Sequence, residues 1–425
     1  MKRCIQALLG IILSFFITSE SFAVGSSGFS TQLVGAKALG QGNAFAGEAD
    51  DPSALYYNPA GITQLKGTQV SIGAAGVVAI IDRTGEGVPT DHMKRQLGVL
   101  PNLYLTSSSP FGNDRFSVGV GITSPFGLST SWAPTSSVAY VTTDSDIQMI
   151  NVNPTVAYKV SDALSLGAGV DYVNVLDITS NAQINQGALN PGDPDGTSKL
   201  KGHGNGWGYN VGVLYHPVEK HSFGLAYRSQ VRVPIKGSVN LSNLSSTTQG
   251  LLGLSSSEYS ADATSSIILP ASFLAGYAFR ANSQWTLLAD YELTGWNSFQ
   301  SQDVAYGGTV SSTPRNWHNA SAVGVGANYK QNDTWQWRGG YAFFQKTVPN
   351  DTFSPDVPDS PVHLLTAGFS RTWVSWVLDF AVNTYIYPSR SVNNTVGNSV
   401  GASVNGSYHT IAPALALNLT YKFGK

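Results

Sequence analysis

Two sets of ionisable residues are spaced so that they could act on one another. Glu48, Asp50 and Asp51 cluster in an early stretch that is otherwise rich in Gly and Ala. Arg228, Arg232 and Lys236 recur on even positions of a later stretch, and Asp290 and Glu292 do so further on. Acids on one segment and bases on another form charge-assisted pairs, which can latch two parts of a chain together. The same residues are poorly arranged for catalysis. The seven His residues (92, 203, 216, 221, 318, 363, 409) show no metal spacing such as His-Glu-x-x-His. No Gly-x-Ser-x-Gly elbow stands at a strand-to-helix turn. Gly40-x-Gly42 lacks the βαβ context of a dinucleotide loop. The expectation is a protein that is not an enzyme and holds no metal or cofactor.

The elements that must position these charges follow from a period of two. In 164–174, Leu164, Leu166, Ala168, Val170 and Tyr172 share one face, while Ser165, Gly167, Gly169 and Asp171 share the other. In 411–423, Ile411, Leu415, Leu417, Leu419, Tyr421 and Phe423 oppose small and polar residues. Such alternation is the signature of strands with one apolar face. It recurs over about fourteen segments: 67–82, 98–106, 115–124, 147–159, 164–178, 206–216, 221–237, 264–279, 284–298, 317–329, 334–346, 362–370, 374–388 and 409–423. The connections between them alternate short and long. Tight turns at one rim and long loops at the other make an up-and-down barrel, with both barrel termini on the short-turn side.

Composition sharpens the choice. Charged residues are 12% of the 425, against roughly 25% in soluble domains, and the formal net charge is -2. Lys+Arg (24) and Asp+Glu (26) nearly cancel, which excludes a basic nucleic-acid binder. Charges turned toward lipid would cost roughly 2–4 kcal/mol each near the midplane. The apolar stripe therefore faces lipid, and Arg228, Arg232, Lys236, Asp290 and Glu292 are expected in the lumen, where the two Arg would meet the acids at 48–51. At the N-terminus, Lys2 and Arg3 precede an apolar run to Thr18 and the small-residue site Ser21-Phe22-Ala23. This reads as a secretory signal cleaved after Ala23. The only cysteine, Cys4, lies within it.

Residues 24–66 do not read as a strand. Their run Gly40-Gln41-Gly42-Asn43-Ala44-Phe45-Ala46-Gly47-Glu48-Ala49-Asp50-Asp51-Pro52-Ser53-Ala54-Leu55-Tyr56-Tyr57-Asn58-Pro59-Ala60-Gly61 resembles the N-terminal hatch of the outer-membrane long-chain fatty acid transporter family (FadL/TodX type), with Asn58-Pro59-Ala60 as its core. Ile122-Thr123-Ser124-Pro125-Phe126-Gly127-Leu128 looks like that family's third strand, and Ala226-Tyr227-Arg228-Ser229 with Lys236-Gly237 like its seventh.

The resemblance spans essentially the whole mature chain. It implies an all-β, 14-stranded antiparallel transmembrane β-barrel (67–425) holding a hatch (24–66) behind a signal peptide (1–23). It also implies passive, energy-independent uptake of hydrophobic molecules, foremost long-chain fatty acids. Loops capture the substrate, the hatch rearranges, and the substrate leaves sideways at a kink formed by Ser124, Pro125, Phe126 and Gly127. Pro removes a ladder donor and Gly accepts unusual dihedrals, so both suit a kink. Phe126, Leu128, Trp132 and Leu189 are candidates for the loop groove. The fifth strand, Asp171-Tyr172-Val173-Asn174-Val175-Leu176-Asp177, holds no base for a carboxylate. Uptake of aromatic hydrocarbons, or a surface adhesin or receptor on the same barrel, therefore stays open. The expected setting is the outer membrane of a Gram-negative bacterium. Expected partners are its lipids and lipopolysaccharide, with the barrel acting as a monomer and binding no nucleic acid.

Overall fold

A computed structural model describes residues 27–423 apart from residue 111; the expected signal segment, 1–23, lies outside the described residues. Fourteen antiparallel strands close into a barrel, as the alternation predicts. In order they are β1 (Thr68–Val78, continued by Ile80–Thr84), β2 (Leu97–Ser108), β3 (Phe116–Thr123 and Gly127–Ser131), β4 (Asp144–Lys159), β5 (Leu164–Ile184), β6 (Gly196–Val218) and β7 (His221–Arg228 and Val231–Ser242). There follow β8 (Tyr259–Leu269 and Ser272–Arg280), β9 (Trp285–Thr294), β10 (Ala320–Lys330), β11 (Trp335–Phe344), β12 (Val362–Trp373), β13 (Trp376–Val392) and β14 (Gly406–Phe423). The ring closes between β1 and β14, from Thr68↔Phe423 to Val77↔Ala414. The turns after β2, β4, β6, β8, β10 and β12 are short, and the other connections are long. One long connection, between β9 and β10, carries a hairpin of Ser301–Tyr306 and Thr309–Pro314 that extends the wall beside β8. It has almost no apolar face, which is why the period-two pattern does not flag it.

Outward faces carry the apolar stripe, with Phe223, Leu225 and Tyr227 exposed on β7 and Leu415 and Leu417 on β14. The interior of the short-turn half is filled by the N-terminal segment. It forms two single-turn helices, α1 (Ala36–Leu39) and α2 (Ala54–Tyr57), and a 3-10 turn over Pro59–Gln64. Its own core is Val34, Ala38, Phe45, Ala54, Leu55, Tyr57 and Ile62, packed against Tyr104 and Ala157 of the wall.

Inward-facing glycines let this segment lie directly on the strands. A Cβ added at Gly224 would stand 1.9 Å from the Ala46 carbonyl oxygen, and one at Gly212 would stand 2.3 Å from Asn58 Oδ1. Glycines at 167, 276, 324, 326 and 340 meet its backbone in the same way. These seven of the 45 glycines thus serve as absent side chains on a crowded inner wall.

The inner face changes sides at mid-height. β7 breaks at Ser229–Gln230 and β8 at Pro270–Ala271. Against β6, Arg228 pairs with Asn210, but Ile235 pairs with Gly204, so one extra residue has entered β7. β5 does the same between Val175 and Ile178. A bulge of one residue rotates everything beyond it to the other face. Val231, Val233 and Ile235 are consequently buried inside, although they continue the odd-numbered stripe that faces out at Phe223–Tyr227. Arg232 and Lys236 turn outward and are exposed. This corrects the expectation that both line the lumen, which treated 221–237 as one unbroken strand.

Gly212→Val should push Asn58 off the wall, with an overpacking cost of roughly 1–3 kcal/mol. Faster amide exchange over 44–61, with the strand amides of the barrel still protected, is the expected observation.

Candidate functional site

The wall holds the N-terminal segment through polar side chains from many strands. Asp290 on β9 accepts the N–H groups of Phe45 (2.8 Å) and Ala46 (2.7 Å), and Glu292 accepts from Gln32 Nε2 at 2.7 Å. Asn418 on β14 accepts Ala36 N–H at 2.9 Å, and Thr366 on β12 accepts Gly42 N–H at 3.0 Å. Tyr104 donates to the Val34 carbonyl. Asn58 is fully buried. Its Oδ1 accepts Ala60 N–H at 3.2 Å and caps the 3-10 turn, which Pro59 opens. Its amide group donates to the carbonyls of Ala46 and Val213, both at 3.0 Å. One side chain thus ties the turn, the acidic loop and β6 together.

The acids at 48–51 do not meet Arg228 or Arg232. Glu48 and Asp50 both pair with Lys37 of the same segment, Glu48 at 3.6 Å. Glu48 also accepts from Gln41 (2.9 Å) and from Asn328 on β10 (2.8 Å). Asp51 accepts the backbone N–H and hydroxyl of Ser53 at 2.7 and 2.6 Å. Glu48 and Asp50 border a chamber of about 600 Å³ at the short-turn end. Arg228 does face the lumen, where it pairs with Asp171 of β5 and donates to the Tyr56 carbonyl at 3.1 Å. Asp171 is held further by Asn151 (2.7 Å) and Asn153 (3.1 Å). The sequence reading missed Lys37 as the latch partner. It is the sole base between Val24 and Leu65, and that signal was available.

β3 is interrupted between Thr123 and Gly127. Below the break, β2 and β3 pair from Ser108↔Ser117 to Leu103↔Ile122. Above it, Lys94 N–H donates to the Ser131 carbonyl at 2.8 Å. In between, β2 residues 97–102 pair with β1 alone. The freed groups of β3 turn inward to the start of the N-terminal segment. Thr31 N–H donates to the Pro125 carbonyl (3.0 Å), Thr31 Oγ1 to the Ser124 carbonyl (3.0 Å), and Gly127 N–H to the Phe29 carbonyl (2.9 Å). Phe29 then packs on Phe126, Trp296, Phe299 and Trp317.

Beside this aromatic cluster lies an apolar cavity of about 370 Å³ on the long-loop side. Phe29, Leu128, Leu200, Ile235, Ile267 and Trp317 are among its lining residues. Ile235 and Ile267 face it because of the bulges in β7 and β8. Of the candidate groove residues, Leu128 lines this cavity and Phe126 packs on Phe29 at its edge. Trp132 borders a separate loop chamber and donates to the Pro355 carbonyl at 3.2 Å. Leu189 is half exposed on its loop and is absent from the cavity lining. The volume falls in the range of small-molecule sites, and the lining is of the kind that takes oily ligands.

The match to known proteins settles the family. The model of the outer membrane protein transport protein family (OMPP1/FadL/TodX) matches residues 17–423. The chain belongs to this family. It is an outer-membrane β-barrel of a class that takes up hydrophobic molecules. It is 29% identical over 392 residues to a long-chain fatty acid transport protein of Escherichia coli O6:H1, covering 84% of each chain. It is 25% identical to outer membrane protein P1 of Haemophilus influenzae, covering 88% of this chain and 86% of the other. In fold it is similar to a Pseudomonas aeruginosa FadL homologue, with TM-score 0.81 and 22% identity, covering 94% of this chain and 100% of that one. It is also similar to the Ralstonia pickettii toluene transporter TbuX, with TM-score 0.69 and 20% identity, covering 96% and 100%.

Burial pushes the Asp51 carboxyl up to about 6, only partly offset by Lys37. Burial also raises Glu48. A carboxyl raised on folding favours the protonated folded state. Its stabilisation is complete below the unfolded value near 4 and disappears as pH rises through about 6. Protection of amides over 36–58, corrected for intrinsic exchange, should therefore be greater at pH 5 than at pH 8, by on the order of 1–3 kcal/mol. Asp51→Asn should flatten most of that difference.

Proposed function

We propose that this barrel takes up long-chain fatty acids passively. The substrate enters among the long loops, rests in the apolar cavity, and leaves sideways between β2 and β3 when the N-terminal segment shifts as a hatch. The observation that carries this reading is the shared use of Phe29. Its ring lines the cavity, and its carbonyl closes the break in β3. A ligand that displaces Phe29 therefore loosens the same hydrogen bonds that fill the break. Each buried CH₂ contributes about 0.8 kcal/mol, so a dry route from cavity to bilayer is favoured over a wet pore. No energy source is required, because the substrate moves from water to lipid. The working unit is a single barrel.

One feature favours a second reading, the uptake of uncharged hydrocarbons. Arg315 borders the cavity but is already paired with Asp356, through contacts of 2.7 and 3.3 Å. Lys201 also borders it, but its side chain belongs to the outward face of β6. A fatty acid must therefore leave its carboxylate in the loop water or take Arg315 from Asp356. Arg315→Ala should weaken oleate binding several-fold and leave toluene binding unchanged if the second of these occurs.

The exit route has its own test. The chain's only cysteine lies in the expected signal segment, so introduced thiols are unambiguous. Leu100→Cys and Phe126→Cys, joined by a reducible bifunctional reagent, should cut oleate uptake at least tenfold and restore it on reduction. Uptake that ignores the cross-link would exclude a sideways exit.

A further inference from the structure

The cavity beside Phe29 is aliphatic on one side only. From β3 round to β8, every strand gives it at least one branched aliphatic side chain: Leu128, Ile147, Ile178, Leu200, Ile235 and Ile267. Leu128 stands directly opposite Ile147, and Ile147 opposite Ile178, so the band is continuous. Beyond β8 the wall is the hairpin of Ser301–Tyr306 and Thr309–Pro314, and its inner face differs. Gln302, Ser311 and Thr313 line the cavity there, and Arg315 and Trp317 continue the odd-numbered run. Val304 and Tyr306 are the other hairpin residues turned to the cavity.

Register shows that this difference lies between sides of the cavity and not between its mouth and floor. Ile235 pairs across to Ser265, Ser265 to Val304, and Val304 to Ser311. One row of the ladder thus passes from an aliphatic to a hydroxylated wall. One row deeper, Ile267 follows Ser265 on β8, while Gln302 pairs with Thr313 on the hairpin.

The polar side holds unused hydrogen-bonding capacity. Gln302 Nε2 donates to Ser265 Oγ at 2.6 Å, and Ser265 Oγ donates to the Asp303 carbonyl at 2.5 Å. The hydroxyls of Ser311 and Thr313 enter no hydrogen bond among the described residues, and both residues are exposed. Arg315 spends its Nη groups on Asp356, but its Nε is buried without an acceptor. Trp317 Nε1 is also buried without one. The far end of that ring from Nε1 faces Gly28, where an added Cβ would stand 2.6 Å from Cζ3. The donor is therefore turned away from the N-terminal segment. These N–H groups can only donate. Water can serve the polar side while the cavity is empty. A plain alkyl chain that displaces the water covers these groups and satisfies none of them.

We propose that the cavity selects a long-chain acid that carries a hydroxyl group part-way along its chain. A hydroxyl both accepts and donates. It can take an N–H from Arg315 or Trp317 and give its own proton to Gln302 or Thr313, while the methylene groups rest on the aliphatic band. The inference rests on the reading of this cavity as a fatty-acid site and adds which acids the site favours.

The test measures calorimetric binding of stearate and 12-hydroxystearate, two acids that differ by one hydroxyl, to the purified full-length barrel in detergent. Wild type should bind 12-hydroxystearate at least fivefold more tightly than stearate. A variant carrying Gln302→Leu and Thr313→Val, checked for an unchanged β-sheet circular dichroism spectrum, should lose that preference by binding the hydroxy acid at least fivefold more weakly. Its affinity for stearate should hold or rise. Stearate binding to wild type as tightly as the hydroxy acid would overturn the inference and leave the fatty-acid site standing. A variant that loses both acids equally would also overturn it. Binding of neither acid by wild type would overturn the fatty-acid site itself, and the selectivity with it. If the double variant fails to fold, Thr313→Val alone must still weaken 12-hydroxystearate more than stearate, or the inference fails.

Discussion

A strand within lipid must satisfy every backbone N–H and carbonyl, and no water is present to help. That constraint forces the ring to close at β1 and β14 and fixes where an opening is possible. A gap in the wall is tolerable only where something inside supplies the missing partners. The break in β3 meets this condition through Phe29 and Thr31, which bond the carbonyls of Ser124 and Pro125 and the N–H of Gly127. The plug and the gap are therefore one structure. The break is sealed by the N-terminal segment, whose outer end also lines the cavity through Phe29.

The same wall also performs two opposite tasks along its height. In the short-turn half it must offer almost nothing, so that a folded segment can lie on it; glycine and a few hydrogen-bonding side chains achieve this. In the long-loop half it must offer aliphatic surface to a ligand. The bulges in β5, β7 and β8 make the exchange within one strand, at the cost of a local break in the ladder. A change of residue type alone would have required the outward face to remain apolar at both levels. The bulge changes both faces together, so the outward positions of β7 beyond it carry Arg232 and Lys236.

The strands, their number and the long–short order of connections were legible because lipid selects one face at every second residue. The acidic N-terminal segment was legible from its lack of that period. The bulges were not. Around Ser229–Gln230 the apolar residues stay on odd positions, from Tyr227 to Val231, so nothing in the pattern records that they have changed sides. For that reason the pattern alone predicts Arg232 and Lys236 in the lumen. Lys37 was overlooked for a different one: a pairing across the lumen looked more natural than one inside a short segment, yet closing a short loop costs less entropy.

The charge pairing bears on how the plug is held. The ion pairs of Lys37 with Glu48 and Asp50 lie within the plug, and that of Arg228 with Asp171 lies within the wall. Between the two bodies, the fastenings are hydrogen bonds: Asp290 to the Phe45 and Ala46 amides, Glu292 to Gln32, Asn328 to Glu48, and Asn58 to Val213. A buried ion pair across that boundary would leave two uncompensated charges if it broke, at several kcal/mol. Hydrogen bonds to neutral partners can be replaced by water at far smaller cost. Keeping most full charges paired on their own side gives the segment defined internal structure and leaves a boundary fastened by hydrogen bonds, which are what the proposed hatch movement would have to exchange.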